Sequence, residues 1–114
     1  MINEINKVIE FHKTTGAPVE KSPCIPNDAR IDLRLTLIEE EFKELQKAAW
    51  QGNRVEVLDA FMDLLYVTFG SIVEFGMQDI AEDAFNEVHR SNMSKFCKTY
   101  EEAKVSTLHY CHEQ

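Results

Sequence analysis

The pattern of hydrophobic positions predicts helices along most of the chain. Apolar residues recur at three- and four-residue steps from Ile2 to His12, which is typical of an amphipathic helix of about three turns. The segment from Thr14 to Asp28 contains three prolines, which remove backbone donors and predict a loop. A second helix is expected to start after Asn27 or Asp28, whose side chains can cap free N–H groups, and to run to about Trp50.

The next break in the pattern predicts a tight turn between two helices. In Gln51-Gly52-Asn53, the glycine suits a left-handed helix stop and the asparagine suits the following N-cap. The third helix is predicted from Arg54 to about Phe75, ending at Gly76. Its middle is apolar on nearly every side, so it has to be covered on nearly every side. One small domain can hardly do this alone, and we therefore expect a homo-oligomer, with a homodimer as the simplest closure.

The last part of the chain predicts one further main helix and a short one. Asp79 with Glu82 is a capping-box pattern that opens helix four, which is expected to end near Ser91 to Lys95. A second capping box, Thr99 to Glu102, predicts a short helix through about His109. The predicted fold is a single all-α domain over residues 1–114, a bundle of four to five helices in which about 99–114 form a C-terminal helix or tail. Four phenylalanines are expected in its core: Phe11, Phe42, Phe61 and Phe69.

Charge and cysteine usage narrow the classes of partner. The net charge of −8 argues against unaided binding to nucleic acid or to an anionic membrane, because lysine and arginine supply most of that affinity. A phosphate ligand would need a cation. Three irregularly spaced cysteines and the lack of a leader pattern make a secreted disulfide framework improbable, so the cytoplasm is the expected compartment. A zinc site near the C-terminus is disfavoured against a polar tail, since its residues lack a C-x-x-C pair: Cys97, His109, Cys111 and His112.

Six carboxylates on the two central helices are the strongest candidates for chemistry: Glu40, Glu41 and Glu44 on the first, then Glu56, Asp59 and Asp63 on the second. At about 100° per residue, Glu41 falls inside an apolar arc of its helix. An unneutralised buried carboxylate costs several kcal/mol or more, which leaves protonation, arginine pairing or a metal ion. Hard oxygen ligands of this kind suit Mg²⁺ or Mn²⁺.

Spacing alone leaves plainer interpretations open. Glu40 and Glu44 could form a solvated face with Lys43, and Glu56 could be the helix-cap partner of Asn53. Arg34, two turns before Glu41, could neutralise that carboxylate locally. His12 and Trp50 could line a base pocket, although ordinary packing is favoured for both.

The acidic pattern resembles the signature of a known superfamily. Glu40-Glu41-x-x-Glu44, followed by Glu56-x-x-Asp59 and Asp63, is similar to that of the MazG-like all-α nucleoside triphosphate pyrophosphohydrolases. This superfamily includes dimeric dUTPases and phosphoribosyl-ATP pyrophosphohydrolase. The segments 59–67 and 87–95 resemble the phosphoribosyl-ATP-pyrophosphohydrolase-like branch most closely. The likeness covers about residues 1 to 98.

The resemblance implies a nucleotide pyrophosphohydrolase assembled from subunits, with Mg²⁺ held by acids of the two central helices. Such an enzyme cleaves a nucleotide between its α and β phosphates, releasing pyrophosphate and a monophosphate. Glu41 and Glu44 match the later two acids of the first motif, and Asp63 matches the aspartate of the second. Many relatives have an acid where this chain has Ala60, so Asp59 or Glu56 has to substitute as a ligand.

Two further sets of residues acquire expected roles. Glu40 or Glu44 is the candidate base that activates the attacking water. Read alone, the segment from His89 to Lys95 predicts a helix end, but the resemblance makes Asn92 and Lys95, together with Arg90, candidates for binding the sugar or phosphates.

The predicted protein is thus a Mg²⁺-dependent nucleotide pyrophosphohydrolase, with Mn²⁺ as a possible substitute, acting as a homodimer or a dimer of dimers. Two alternatives stay open: phosphoribosyl-ATP hydrolysis in histidine biosynthesis, and a non-catalytic helical interaction module. Ala60 and the short C-terminus favour the second of these.

Overall fold

The computed structural model describes the backbone of residues 1–103 and the side chains of residues 1–96. That part of the chain contains four helices and no strand: α1 (Ile2–Thr15), α2 (Asp28–Gln51), α3 (Arg54–Glu74) and α4 (Ala81–Ala103). The all-α fold predicted from the hydrophobic pattern is confirmed. None of the described helices is long and apolar enough to cross a bilayer.

Side-chain caps and one glycine set the ends of α2 and α3. The Asn27 side chain accepts a hydrogen bond from the Arg30 backbone N–H at 3.0 Å, and Asn53 accepts one from that of Glu56 at 3.2 Å. Gly52 has a φ of 70°, the left-handed conformation in which a glycine ends a helix at little cost. These caps confirm the predicted bounds of both helices, and Glu56 does lie in the predicted cap.

Residues Met1–Asp79 form one compact unit. Within it, α2 and α3 pack against each other across the Gly52 turn, and α1 packs on α3. Five apolar side chains are buried there: Ile5, Val8, Ala48, Ala60 and Val73. The loop between α1 and α2 is fastened to the end of α3, since the Glu20 N–H donates to the Val73 carbonyl at 3.2 Å and the Cys24 N–H to that of Phe75 at 2.9 Å.

A buried ion cluster fixes the far end of α3, away from the Gly52 turn. The Glu74 side chain is 1% exposed, and its carboxylate accepts hydrogen bonds from Arg30 Nε and Nη2, both at 2.8 Å, and from Arg34 Nη1 at 2.9 Å. Arg34 also donates to the Ser71 hydroxyl at 3.1 Å and to the Val67 carbonyl at 2.8 Å. Burial lowers the pKa of the Arg34 guanidinium, and the Glu74 charge opposes that shift.

The arrangement of this cluster corrects one interpretation of the sequence. Arg34 does not neutralise Glu41, because its guanidinium is committed to Glu74, Ser71 and Val67 of α3. The helical period placed the arginine near Glu41 along α2 but could not reveal a stronger partner on another helix.

Gly70 lies in α3 directly against this cluster. A Cβ atom at this position would stand 2.5 Å from Arg34 Nη2 and 2.8 Å from His12 Nε2. In an ordinary helix interior, replacing glycine with alanine stabilises by roughly 0.5–1 kcal/mol. Here we expect Gly70→Ala to lower the free energy of unfolding by about 1–3 kcal/mol, because both neighbours are buried and hydrogen-bonded. Urea unfolding followed by circular dichroism measures this change, and stabilisation by the added methyl group would contradict the close packing.

The helix α4 differs from its prediction. It runs unbroken from Ala81 to Ala103, so the predicted end near Ser91 to Lys95 and the predicted start of a new helix at Thr99 are both wrong. The intervening residues include serine and asparagine but neither glycine nor proline, and their modest helix penalty does not stop a helix. The rest of that short helix, through His109, lies outside the described residues, as do the side chains considered for zinc.

Several large apolar side chains predicted to lie in the core are exposed. Phe11, Phe42 and Phe61 are each about half exposed, and Trp50 is 90% exposed, so packing against the core was the wrong expectation for all four. Phe69 is half-buried, and the predicted packing of His12 is confirmed by its burial and its 2.9 Å hydrogen bond to the Pro18 carbonyl. Hydrophobic period places a residue on a helix face, but it does not say whether this chain supplies the covering surface. The homo-oligomer therefore stays a prediction.

Candidate active site

An acidic cleft of about 380 Å³ lies between α2 and α3. We define it by its lining residues: Glu41, Glu44, Lys47, Ala48, Gln51, Glu56, Asp59, Ala60 and Asp63. All five predicted metal ligands are in this set. The structure thus brings the acids of the two helices to one place, although the metal itself stays a prediction.

Helical spacing and the Gly52 turn together account for this convergence. The lining residues of α2 recur at three- and four-residue steps, and so do those of α3, so each set forms one stripe along its helix. Because the helices run in opposite directions from the turn, Glu41 and Asp63 meet at the far end of the cleft while Gln51 and Glu56 lie near the turn. The buried Ala48 and Ala60 supply the small side chains that let the helices approach.

Two carboxylates of α3 lie close to Ala60, the position at which the resemblance leads one to expect an acid. The Ala60 side chain is buried in the wall of the cleft, at 5% exposure, whereas Asp59 and Glu56 are exposed and line the same space. Carboxylates one residue earlier and one turn earlier on α3 therefore remain available to the cleft.

Mutual repulsion of the carboxylates is visible at Glu41. Its side chain is half-buried, and its pKa is raised above the ordinary value of 4.5, first by desolvation and then by the charges of Asp63, Glu44, Glu40 and Asp59. A cation in the cleft would relieve that repulsion. The two candidate bases differ in position. Glu44 lines the cleft, whereas the exposed Glu40 is not among its lining residues.

The donor set of the cleft fits a Mg²⁺ site completed by water and phosphate better than a site made of protein ligands alone. Among the side chains of residues 1–96, no three His, Cys, Asp or Glu residues are grouped closely enough to hold one ion together. That arrangement does not match an all-protein cage of the kind Ca²⁺ or structural Zn²⁺ requires. Mg²⁺ usually takes one or two carboxylates and completes its shell with water and substrate phosphate oxygens, and the acidic cleft offers such ligands.

Replacing Glu41 with glutamine should show the repulsion as a pH effect. Because the folded state holds the Glu41 proton more tightly than the unfolded state, stability falls as pH rises from 4.5 through the raised pKa. Glu41→Gln removes that term, so we expect the variant to melt at a higher temperature than the wild type at pH 7 and the difference to fade towards pH 4.5. Thermal unfolding between these pH values measures it.

Added Mg²⁺ should reduce the difference in melting temperature between Glu41→Gln and the wild type, because the ion stabilises the wild type more than the variant. Glu10→Gln, an exposed α1 position outside the acidic cleft, is the matched control and should show neither effect. Equal melting temperatures for wild type and Glu41→Gln at pH 7 would contradict repulsion in the cleft.

The predicted substrate-binding residues lie on α4, in the unit that begins at Ile80. Arg90 Nε and Nη2 form a forked pair with the Glu87 carboxylate, with distances of 2.6–3.1 Å, while Asn92 and Lys95 are exposed. All three belong to the middle of a helix rather than to its end. Their role in binding a nucleotide stays a prediction.

Sequence reasoning missed two polar residues of the cleft, Lys47 and Gln51. A signal was present, since Lys47 follows Glu44 by three residues and Gln51 follows Lys47 by four, which continues the stripe that Glu41 begins. Lys47 is the one cation among the lining residues of that stripe.

An all-α chain with acids facing one another across two adjacent helices has the features of the MazG-like all-α superfamily. Within it, the chain belongs to the phosphoribosyl-ATP pyrophosphohydrolase family, whose model matches residues 8–92. The match includes every residue of the acidic cleft as well as Arg90 and Asn92, while Lys95 lies beyond it.

A viral relative shares the same region. An uncharacterized protein of Acanthamoeba polyphaga mimivirus is 33% identical over 95 residues, which is 80% of this chain but 38% of the viral protein. The chain thus spans well under half the length of that relative. The family supports pyrophosphohydrolase chemistry in general terms, and the uncharacterized relative adds no substrate.

Proposed function

We propose that the protein is a Mg²⁺-dependent nucleotide pyrophosphohydrolase that cleaves its substrate between the α and β phosphates. The observation that carries the proposal is the acidic cleft, in which five carboxylates from two helices face one space. Desolvation raises the pKa of Glu41 there, and the charges of Asp63, Glu44 and Asp59 raise it further. Membership of a pyrophosphohydrolase family supports hydrolysis of a phosphoric anhydride in that cleft. Neighbouring carboxylates without a cation are unfavourable, and a metal-bound polyphosphate supplies the missing positive charge together with its own ligands.

The residues that line the cleft have different proposed roles, as metal ligands or as the base. One or two of the carboxylates of Glu41, Asp63, Asp59 and Glu56 would hold Mg²⁺, which when bound neutralises phosphate charge in the transition state. Glu44 lines the cleft on the helix turn after Glu41 and would accept a proton from the attacking water. As the water oxygen bonds to phosphorus and its proton passes to Glu44, the bridging P–O bond breaks. The products are a nucleoside monophosphate and pyrophosphate.

The substrate class is tested by product analysis. The protein is incubated with Mg²⁺ and a panel of standard and modified nucleoside triphosphates, with phosphoribosyl-ATP included, and pyrophosphate release is measured. Release from one or more triphosphates supports the proposal. Activity confined to phosphoribosyl-ATP selects the biosynthetic alternative, and no release from any substrate contradicts a hydrolase.

A non-catalytic oligomeric module is the second candidate, favoured by the exposed apolar side chains of α3. Leu58, Phe61, Met62, Leu65 and Tyr66 are all more than two-fifths exposed. A surface of this kind is typical of a protein interface. Light scattering at micromolar concentration tests the proposed homodimer or dimer of dimers, and a 13.2 kDa particle would contradict it. Oligomers without any pyrophosphate release would favour the module.

A further inference from the structure

Lys47 carries the one positive charge among the residues that line the acidic cleft. Despite five carboxylates around the same space, it makes no ion pair within 4.0 Å in the described part of the chain. Lys43, about one turn earlier on α2, behaves differently, because its ammonium pairs with Glu39 at 2.9 Å. A lysine directed into an acidic cleft and left unpaired there is available to an anion that enters the cleft.

The position of Lys47 gives the cleft a direction. It lies about 9 Å along the α2 axis from Glu41, at 1.5 Å per residue, on the side nearer the Gly52 turn. Glu41 and Asp63 form the opposite end, with Glu44 between Glu41 and Lys47 along the helix. Gln51 follows Lys47 by one turn and adds an amide donor. The cleft therefore runs from the Glu41 and Asp63 end, past the proposed base, to an end near the turn where Lys47 and Gln51 supply two hydrogen-bond donors and Glu56 adds one carboxylate.

We propose that Lys47 binds the β and γ phosphates of the substrate, the part that leaves as pyrophosphate. This inference rests on the proposed function. The leaving pyrophosphate is more highly charged than the monophosphate, so the single unpaired ammonium has its greatest effect on that side. With the scissile linkage beside Glu44, the polyphosphate extends towards the Gly52 turn and the nucleoside lies towards the Glu41 and Asp63 end. Lys47 thus selects substrates with at least two phosphates beyond the α phosphate.

Product inhibition measures separately how the site binds pyrophosphate and how it binds the monophosphate. The variants are Lys47→Ala and Lys47→Arg, and the matched control is Lys43→Ala on the same helix outside the cleft. For Lys47→Ala we expect the inhibition constant of inorganic pyrophosphate, measured with Mg²⁺, to rise about 10-fold or more, as loss of one charge-assisted hydrogen bond implies. The inhibition constant of the monophosphate product should change less than about 2-fold. Lys47→Arg should recover part of the pyrophosphate binding, and Lys43→Ala should resemble the wild type.

Two outcomes overturn the assignment while the proposed function stands. Pyrophosphate inhibition that is unchanged in Lys47→Ala means that the lysine does not bind it. Equal weakening by both products means that Lys47 acts only through the general charge of the cleft.

Calorimetric titration of inorganic pyrophosphate with Mg²⁺ needs no turnover, so it keeps the two proposals separate. If the wild type hydrolyses nothing, the proposed function fails. Weaker pyrophosphate binding by Lys47→Ala than by Lys43→Ala would then still support the lysine site, and equal or absent binding would overturn it.

Discussion

Asp63→Asn is expected to lower the rate of pyrophosphate release by at least about 10²-fold, since loss of a metal ligand should exceed the 10- to 100-fold cost of losing an outer-shell partner. Asp63 lines the acidic cleft, and its charge is the largest electrostatic contribution to the raised pKa of Glu41. Asparagine keeps the size of the side chain but removes the charge that would hold Mg²⁺. The rate is measured at saturating substrate and Mg²⁺.

The fold should survive this change. Asp63 is exposed and its charge is repelled by Glu41, so the free energy of unfolding should stay the same or rise. Circular dichroism should therefore show unaltered helix content. Asp32→Asn, an exposed position on α2 outside the acidic cleft, is the matched control and should keep wild-type activity. An Asp63→Asn variant with more than half of the wild-type rate would place the chemistry elsewhere.

Glu74→Gln should produce the largest loss of stability, about 3–5 kcal/mol, which is the usual cost of breaking a buried ion pair. The substitution leaves Arg30 and Arg34 without their shared counter-charge, and the Arg34 side chain is only 8% exposed. The carboxylate joins α3 to α2, which supplies both arginines, and the loop before α2 is bonded to the backbone on either side of Glu74. Urea unfolding measures the change in free energy.

Two comparisons isolate the buried charge as the cause. Glu39→Gln breaks an exposed pair with Lys43 and should leave the free energy of unfolding almost unchanged. Adding Arg34→Met to Glu74→Gln removes the more deeply buried cation, so the double variant should recover part of the loss. A double variant less stable than Glu74→Gln would mean that Arg34 stabilises mainly through Ser71 and Val67 rather than through Glu74.

Local signals in the sequence predicted the part of the fold that positions the cleft. Asn27, Gly52 and Asn53 act within a few residues of themselves, through caps and a left-handed turn, and the structure has each in its expected place. The convergence of Glu41 and Asp63 followed from two helical periods joined by a short turn. Nothing more distant than the next helix was needed.

Features that depend on distant parts of the chain were not predicted. The pairing of Glu74 with Arg30 and Arg34, which lie four residues apart on α2, was not predicted. Their pairing spans 44 residues for Arg30, and helical period carries no information about contacts at that separation. Helical spacing was enough to place Lys47 in the cleft, but its unpaired state depends on side-chain geometry, which the sequence does not give.

Polar composition misled the prediction at α4 and apolar composition misled it at the exposed aromatics. Serine and asparagine between Ser91 and Lys95 suggested a helix end, but these residues only weaken a helix without breaking it. Phe11 and Phe61 were expected in the core. Their exposure shows that a stripe specifies which face needs a covering surface, not which surface covers it.

The Gly52 turn also bears on the order in which the chain folds. The acids of the cleft lie on one hairpin of neighbouring helices, so bringing them together closes a short loop and costs little chain entropy. The Glu74 cluster closes a much longer one, of 44 residues for Arg30. The hairpin should therefore form early with its carboxylates already in mutual repulsion, and Mg²⁺ present during refolding should speed this step rather than the later closure of the ion cluster.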